Sequence, residues 1–276
     1  MPDFLTPIDP AYFPLVAYVL DTDIHTLFLN KEKVLTIEEE NHLQSLIYKA
    51  KEGCPIPYLN RSKWFYKDLF FIDNRVLIPR NETNYVVEET LAYINKKDKP
   101  LLIADICTGS GCIGISLAKY TWQKHRYILS DISDEALEVC KINYKELIPD
   151  YKNVQVIKSD LLADMSILGQ CNIDVLVSNP PYIQKMNIAG LEDSVKNYEP
   201  HIALDGGQAG YELTIKLLEE AKSYMTPESF FILIETDPEI APYIKEKAEG
   251  YFPSALVSIE KDLYTIDRYI RILQET

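Results

Sequence analysis

Apolar residues recur at three- and four-residue intervals up to Leu59. Tyr12, Leu15, Val16 and Val19 form one set, and Leu43, Leu46, Ile47 and Ala50 another. That spacing lines up one stripe of a helix. Thr36 with Glu39 has the form of a capping box that opens the second of these helices. No alternating pattern interrupts the region, so residues 1–60 read as a small helical unit, closed where Gly53, Pro55 and Pro57 punctuate the chain. Aromatic and apolar runs follow at Trp64-Phe65-Tyr66, Leu69-Phe70-Phe71-Ile72 and Val76-Leu77-Ile78-Pro79. With Asp73-Asn74-Arg75 as the polar turn, residues 61–79 predict a β-hairpin linker. Helical spacing returns after Thr83 through Val86, Val87 and Leu91.

From Leu101 onward, short apolar runs alternate with helical segments. Strands are predicted at 101–106, 127–131, 154–157, 173–178 and 230–235, with helices after Gly111, after Ser133 and over 213–221. Two further strands, 255–259 and 268–273, follow with little between them. Strand–helix alternation predicts a doubly wound, parallel α/β sheet, and the close final pair predicts an antiparallel edge.

Composition narrows the reading. With 276 residues, 47% of them hydrophobic, the chain can bury a substantial core. A formal net charge of −14 counts against a basic nucleic-acid face. Five cysteines (Cys54, Cys107, Cys112, Cys140 and Cys171) form no C-x-x-C pair, which suggests neither a disulfide framework nor a zinc site. The four histidines, His25, His42, His125 and His201, stand apart without ligand or triad spacing. Met1-Pro2-Asp3-Phe4 lacks the basic flank and apolar core of a signal peptide, and no uncharged apolar run approaches a membrane span. A cytoplasmic protein with no membrane partner is the expectation.

The candidate chemistry sits at the ends of the predicted strands. Cys107-Thr108-Gly109-Ser110-Gly111 is a tight strand-to-helix loop that lets the backbone approach a ligand. Asp131 ends the next strand, where a carboxylate can accept hydrogen bonds from both hydroxyls of a ribose. The loop has neither the G-x-G-x-x-G form nor a Walker lysine, so dinucleotides and triphosphates are disfavoured. A nucleoside without phosphates, such as S-adenosylmethionine, fits. Asp160 can accept an adenine amino group with Leu161 against the base, or can cap a helix. The fourth strand ends in Asn179-Pro180-Pro181-Tyr182. Two prolines cannot continue a central strand, so the chain leaves the sheet there with an amide, a rigid turn and an aromatic ring. The side-chain carbonyl of Asn179 and the main-chain carbonyl of Pro180 can each accept one hydrogen of a planar –NH2 group while Tyr182 stacks on it. Those bonds would aim the nitrogen at a sulfonium methyl, with positioning carrying much of the rate.

Six stretches in order, Pro57-Tyr58-Leu59, Val76 to Thr83, Ala104 to Gly111, Ser159-Asp160-Leu161, Val177 to Ile183 and Tyr198 to Gly207, resemble the HemK/PrmC family of protein-glutamine methyltransferases from about residue 10 to the C-terminus. The resemblance implies a helical N-terminal domain (1–60) that recognises release factors and a hairpin linker (61–79). It also implies a class I S-adenosylmethionine-dependent methyltransferase domain (80–276), Rossmann-like with a mostly parallel seven-stranded sheet. Methylation of the glutamine in the Gly-Gly-Gln loop of peptide chain release factors is the implied activity, with an effect on translation termination. Cofactor positions carry over to Cys107, Thr108, Gly109, Ser110, Gly111, Asp131, Leu161 and Asn179, and glutamine-binding positions to Asn179, Pro180, Pro181 and Tyr182. Arg80, Glu82 and Thr83 match a motif expected to shape the pocket. Cys107, Arg61 and Lys67 stand where the family usually has glycine, and Asp237 replaces another after Glu235. Two alternatives stay open: a methyltransferase acting on nucleic-acid amino groups, which shares the Asn-Pro-Pro-Tyr grip but calls for a basic channel, and a non-enzymatic cofactor-binding adaptor.

Overall fold

The computed structural model describes residues 5, 8–29, 33–121, 125–164 and 172–275; Cys171 and Met1 to Phe4, considered above, lie outside them. The N-terminal part holds α1 (Phe13–Val19), α2 (Ile24–Leu29), α3 (Ile37–Lys51) and α4 (Ile56–Leu59). Leu15, Val16, Leu27, Leu43, Leu46 and Ile47 meet in one buried cluster, so the two apolar stripes face each other. The capping box at α3 is complete: Thr36 Oγ1 accepts from Glu39 N, and Glu39 Oε2 accepts in return from Thr36 N.

The hairpin is placed differently from its prediction. Strands β1 (Ser62–Phe65) and β2 (Asp68–Phe71) pair around Tyr66-Lys67, while Asp73 to Arg75 form a separate turn and Val76 to Pro79 make no strand. Asp73 binds the Arg75 backbone and guanidinium, which closes that turn without a ladder. Arg61 and Tyr66 take left-handed backbone angles, φ 53° and 54°. The first is a position where the family usually has glycine; the second carries the hairpin's left-handed residue one place before Lys67.

Beyond α5 (Asn84–Ile94), seven strands form one sheet: β3 (Leu102–Ile106), β4 (Arg126–Asp131), β5 (Val154–Lys158), β6 (Val175–Ser178), β7 (Phe230–Glu235), β8 (Leu256–Lys261) and β9 (Asp267–Gln274). Their order is β5-β4-β3-β6-β7-β9-β8, parallel except where β9 pairs with β7 and β8. Alternation along each strand sorts side chains to two faces. Ile103, Leu129, Val177 and Leu233 pack in the layer with α5, α6 (Cys112–Tyr120) and α7 (Asp134–Leu147). Ala104, Ile128, Leu176 and Ile232 pack in the layer with α9 (Glu212–Ala221) and α10 (Ala241–Tyr251). Both faces are covered, which explains the continuous apolar runs of β3, β6 and β7. Helix α10, absent from the sequence reading, fills the interval between β7 and β8; the short α8 (Asp193–Lys196) lies after β6. The chain steps outward from β3 to β4 and β5, then returns to β6 on the other side. That reversal opens a crevice at the carboxyl ends of the strands.

Candidate active site

A cavity of about 400 Å³ lies over the carboxyl ends of β3, β4, β5 and β6. Of the residues singled out from sequence, Cys107, Thr108, Gly109, Ser110, Asp131, Asp160, Leu161, Asn179 and Pro181 line it, and Gly111, Pro180 and Tyr182 do not.

The floor is the loop between β3 and α6. Asp105 is buried one residue before β3 ends; its Oδ2 accepts from Thr108 Oγ1 (2.6 Å) and Gly114 N (2.9 Å), tying the loop to the strand. Burial pushes this carboxyl up to about 7, and its Oδ1 has no partner among the described residues. Gly109 and Gly111 both have positive φ. At Gly111 a Cβ would meet Ile115 and Cys140 at 2.7 and 2.8 Å, so this residue serves loop shape and packing rather than the cavity wall. Cys107 adopts φ 59°, a region that favours glycine, and burial pushes its thiol up. The loop therefore keeps the expected shape with a Cβ in place.

Asp131 projects from the end of β4. Its Oδ2 accepts from Gly109 N (2.9 Å) and its Oδ1 from Ser133 N (3.0 Å), which orients the carboxyl at the wall. Burial raises its pKa despite those bonds. Ile132, beside it, lines the cavity while half exposed, and sequence reasoning passed over it. Asp160 caps no helix: its segment forms a turn, and its Oδ2 pairs with Lys216 Nζ at 2.7 Å on the exposed side. Leu161 is buried against the same wall with φ 53°.

At the end of β6 the Asn179 amide is held. Its Nδ2 donates to Thr83 Oγ1 (3.3 Å), and Thr83 donates to Glu235 Oε2 (2.7 Å). Glu235 is fully buried at the end of β7, and its other oxygen accepts from the Tyr182 hydroxyl (3.3 Å). Burial is the main cause that raises the Glu235 pKa, with the Thr83 bond and the Arg268 charge opposing it. One carboxyl thus connects both polar ends of Asn-Pro-Pro-Tyr. Glu235 was missed in the sequence although its signal was present, an acid closing the apolar run of β7 in the position that Asp131 holds at the end of β4. Of the Arg80-Glu82-Thr83 motif, only Thr83 lines the cavity. Arg80 instead binds buried Glu199 (2.6 Å), whose second oxygen takes Ile78 N, while the Glu82 carbonyl accepts from Tyr269 OH. These contacts fasten the segment after the hairpin to the sheet. The stretch Tyr198 to Gly207 clamps the turn: Ile183 N donates to Leu204 O, and Gly206 N donates to Ile183 O. A Cβ at Gly206 would lie 2.6 Å from Tyr182 Cα and 2.8 Å from Pro181 O, which explains glycine there.

A doubly wound sheet with an ordered antiparallel β9, a glycine loop after β3 and an acid ending β4 defines a class I methyltransferase. The family model for the methyltransferase small domain matches residues 89–194. The fold also resembles two solved structures, ribosomal protein L11 methylase from Lactobacillus delbrueckii subsp. bulgaricus (TM-score 0.50, 19% identity, covering 78% of this chain and 90% of that one) and a methyltransferase from Pyrococcus furiosus (TM-score 0.51, 17% identity, 75% and 89%). Release factor glutamine methyltransferases of Bacillus anthracis and Clostridium acetobutylicum are 34% and 36% identical over 258 and 261 residues, spanning 93% of this chain and 89% and 88% of theirs. A ribosomal protein uL3 glutamine methyltransferase of Francisella tularensis is 34% identical over 224 residues, 79% of this chain and 66% of its own. The chain belongs to the release factor glutamine methyltransferase family. Among the described residues no helix is long and apolar enough to cross a membrane.

Proposed function

We propose that this protein transfers a methyl group from S-adenosylmethionine to the side-chain amide nitrogen of the glutamine in the Gly-Gly-Gln loop of peptide chain release factors. The observation that carries the reading is the fixed Asn179 amide. Because Nδ2 is committed to Thr83, the carbonyl oxygen is the atom left to accept a hydrogen from an incoming –NH2.

The cavity residues suit the cofactor. Its volume, the oriented Asp131 carboxyl and the apolar Ile132 and Leu161 match a nucleoside with a ribose diol and no phosphate. Asp131 would hold the ribose, Asp160 the adenine edge, and the loop from Cys107 to Gly111 the remainder. When bound, S-adenosylmethionine supplies an electrophilic sulfonium methyl. Asn179 Oδ1 and the Pro180 carbonyl then each accept one N–H of the target amide, which directs its nitrogen along one line of approach. An amide lone pair is delocalised, so both acceptors also draw density toward nitrogen as charge develops there. Tyr182, tied down through Glu235, does not line the cavity itself, and its ring would serve the planar amide as a stacking surface beside it. The helical unit 1–60 recognises the release factor, and residues 61–79 connect it to the methyltransferase domain 80–276.

Labelled S-adenosylmethionine offered with release factor, its loop Gln→Ala variant, uL3 or DNA tests the proposal. Label on the wild-type factor alone supports it. Label on the Gln→Ala factor, or on DNA in preference to protein, overturns it.

A further inference from the structure

Sheet order places cofactor and target on opposite sides of β6. The cofactor residues Cys107, Asp131 and Asp160 follow β3, β4 and β5, whereas Glu235 and Tyr182 mark the target side at β6 and β7. Next beyond β7 come β9 and β8. Because β9 runs antiparallel to β7, pairing Tyr269 with Glu235, the turn between β8 and β9 rises at the end of the sheet that bears the site. Thr236 N donates to Arg268 O, joining that turn's base to the end of β7.

This turn is rigid and yet presents apolar side chains to water. Buried Asp262 organises it: Oδ1 accepts from Tyr264 N and Ile266 N, Oδ2 accepts from Arg268 Nε at 2.9 Å, and Asp262 N donates to Ile266 O. Thr265 takes a left-handed φ of 65° to complete it. The Arg268 guanidinium, held from below, acts electrostatically on both Tyr182 and Glu235. At the tip Leu263 is 96% exposed and Tyr264 75%. Neither residue is one of the types, Gly, Pro, Asn, Asp or Ser, that chain reversal itself calls for. Two large apolar side chains on a frame fixed by a buried carboxylate are preorganised for contact, because little rotational freedom of the backbone remains to be lost on binding. Two further exposed apolar residues belong to the segments around the target turn: Ile202, which lines the cavity, and Met186, four residues past Tyr182. Lys185 N donates to Gly207 O, so Met186 stands beside the clamp that holds the target turn.

We propose that the β8–β9 turn, through Leu263 and Tyr264, docks the polypeptide that flanks the target glutamine. The inference rests on the glutamine-methyltransferase reading and adds a substrate-gripping element on the methyltransferase domain itself. A protein loop is the occupant that fits. To place a side-chain amide beside Asn179, the target backbone must cross the rim on the β7 side, where this turn stands. At the turn itself the cations Lys261 and Arg268 are each paired with a carboxylate, Asp267 and Asp262, which suits a polypeptide better than a phosphate backbone.

The test is steady-state methylation of full-length release factor by the whole enzyme carrying Leu263→Ser and Tyr264→Ser, beside a Tyr264→Phe control. The expected result is a KM for the factor raised about tenfold in the double variant, the effect of losing interface anchors. Its kcat at saturating factor and its affinity for S-adenosylmethionine stay at the wild-type level, and Tyr264→Phe behaves as wild type. An unchanged KM overturns the inference. So does a loss of kcat together with cofactor binding, which would assign the turn a structural role instead. Wild-type enzyme that leaves release factor unlabelled overturns the functional reading, and this inference with it. Wild-type activity with an indifferent double variant overturns this inference alone.

Discussion

A buried carboxylate with two hydroxyl donors is the device that gives the Asn179 amide its direction. Glu235 accepts from Thr83 and from Tyr182, so a glutamine at that position, whose amide nitrogen can only donate, forces one of the two hydroxyls to reverse its role and loses the charge that both bonds share. Glu235→Gln is expected to lower kcat by up to about 100-fold, the scale of a small misplacement of reacting groups, with cofactor affinity largely kept; Thr83→Val should do the same and Thr83→Ser should not. Single-turnover kinetics with saturating cofactor provides the measurement. Asn179→Ala removes the acceptor itself, and a loss of about 100-fold or more is expected; turnover like the wild type refutes its role. Asp105 makes a prediction in pH. Its carboxyl keeps its proton to about 7 when folded, against an ordinary value of 3.8. Between those values the folded state binds more protons than the unfolded chain, so this contribution to stability is full below about pH 4 and lost as pH rises through 7. Asp105→Asn should therefore weaken the fall in melting temperature between pH 5 and 8, and an unchanged slope in calorimetry would refute the assignment. At this scale the sequence showed which strand ends carry polar groups but not how they join. Thr83 and Glu235 lie 152 positions apart, and only the sheet brings them together.

Among the elements, what could be read depended on whether local pattern or tertiary packing decides. The helices α1, α3 and α7 announce themselves by apolar spacing and by caps, Thr36 and Ser133, whose side chains bind backbone N–H groups in the structure. The strands of the sheet are legible as unbroken apolar runs because both faces are covered. The hairpin was misplaced because Asp73-Asn74-Arg75 has better turn chemistry than Tyr66-Lys67. The turn nonetheless forms at Tyr66, in a left-handed conformation that its sequence does not advertise, while Phe65 and Phe70 are buried in the core beneath. Helix α10 escaped notice because its buried stripe is only Ala241, Ile244 and Ala248, two of them small, and Lys245, Glu246, Lys247 and Glu249 interrupt the apolar pattern. The clamp over Asn-Pro-Pro-Tyr yields a prediction of its own. Gly206→Ala would drive a methyl into Tyr182 Cα and Gly210 O, and overpacking against backbone typically costs about 1–3 kcal/mol. Since that strain falls on the turn holding Asn179, transfer activity should drop more than cofactor binding, as titration calorimetry beside an activity assay would show.

For the molecule as a whole, charge and layering act together. A net charge of −14 disfavours the counterion release that drives non-specific association with nucleic acid. In a gel-shift assay at low salt the protein is expected to leave duplex DNA unretarded, and retention would revive the nucleic-acid alternative. The family resemblance came from stretches spread between Pro57 and Gly207, whereas what joins them is spatial. Val76 to Thr83, Val177 to Ile183 and Tyr198 to Gly207 all meet around one turn, through Arg80–Glu199, Thr83–Asn179 and Ile183–Leu204.

The place of β9 bears on how the protein is made. Synthesis delivers β8 before β9, yet β9 inserts between β8 and β7. While a nascent chain emerges, β7 therefore presents a bare edge of N–H and C=O groups, and β8 has no neighbour to join. Residues 267–274 close that gap, and with them come Arg268 beside Glu235 and the Tyr269 hydroxyl on Glu82. Chains released before this segment is translated would display an adhesive sheet edge and lack these supports of the site. Assembly of the site thus waits for β9, although both of the strands it joins are made before it.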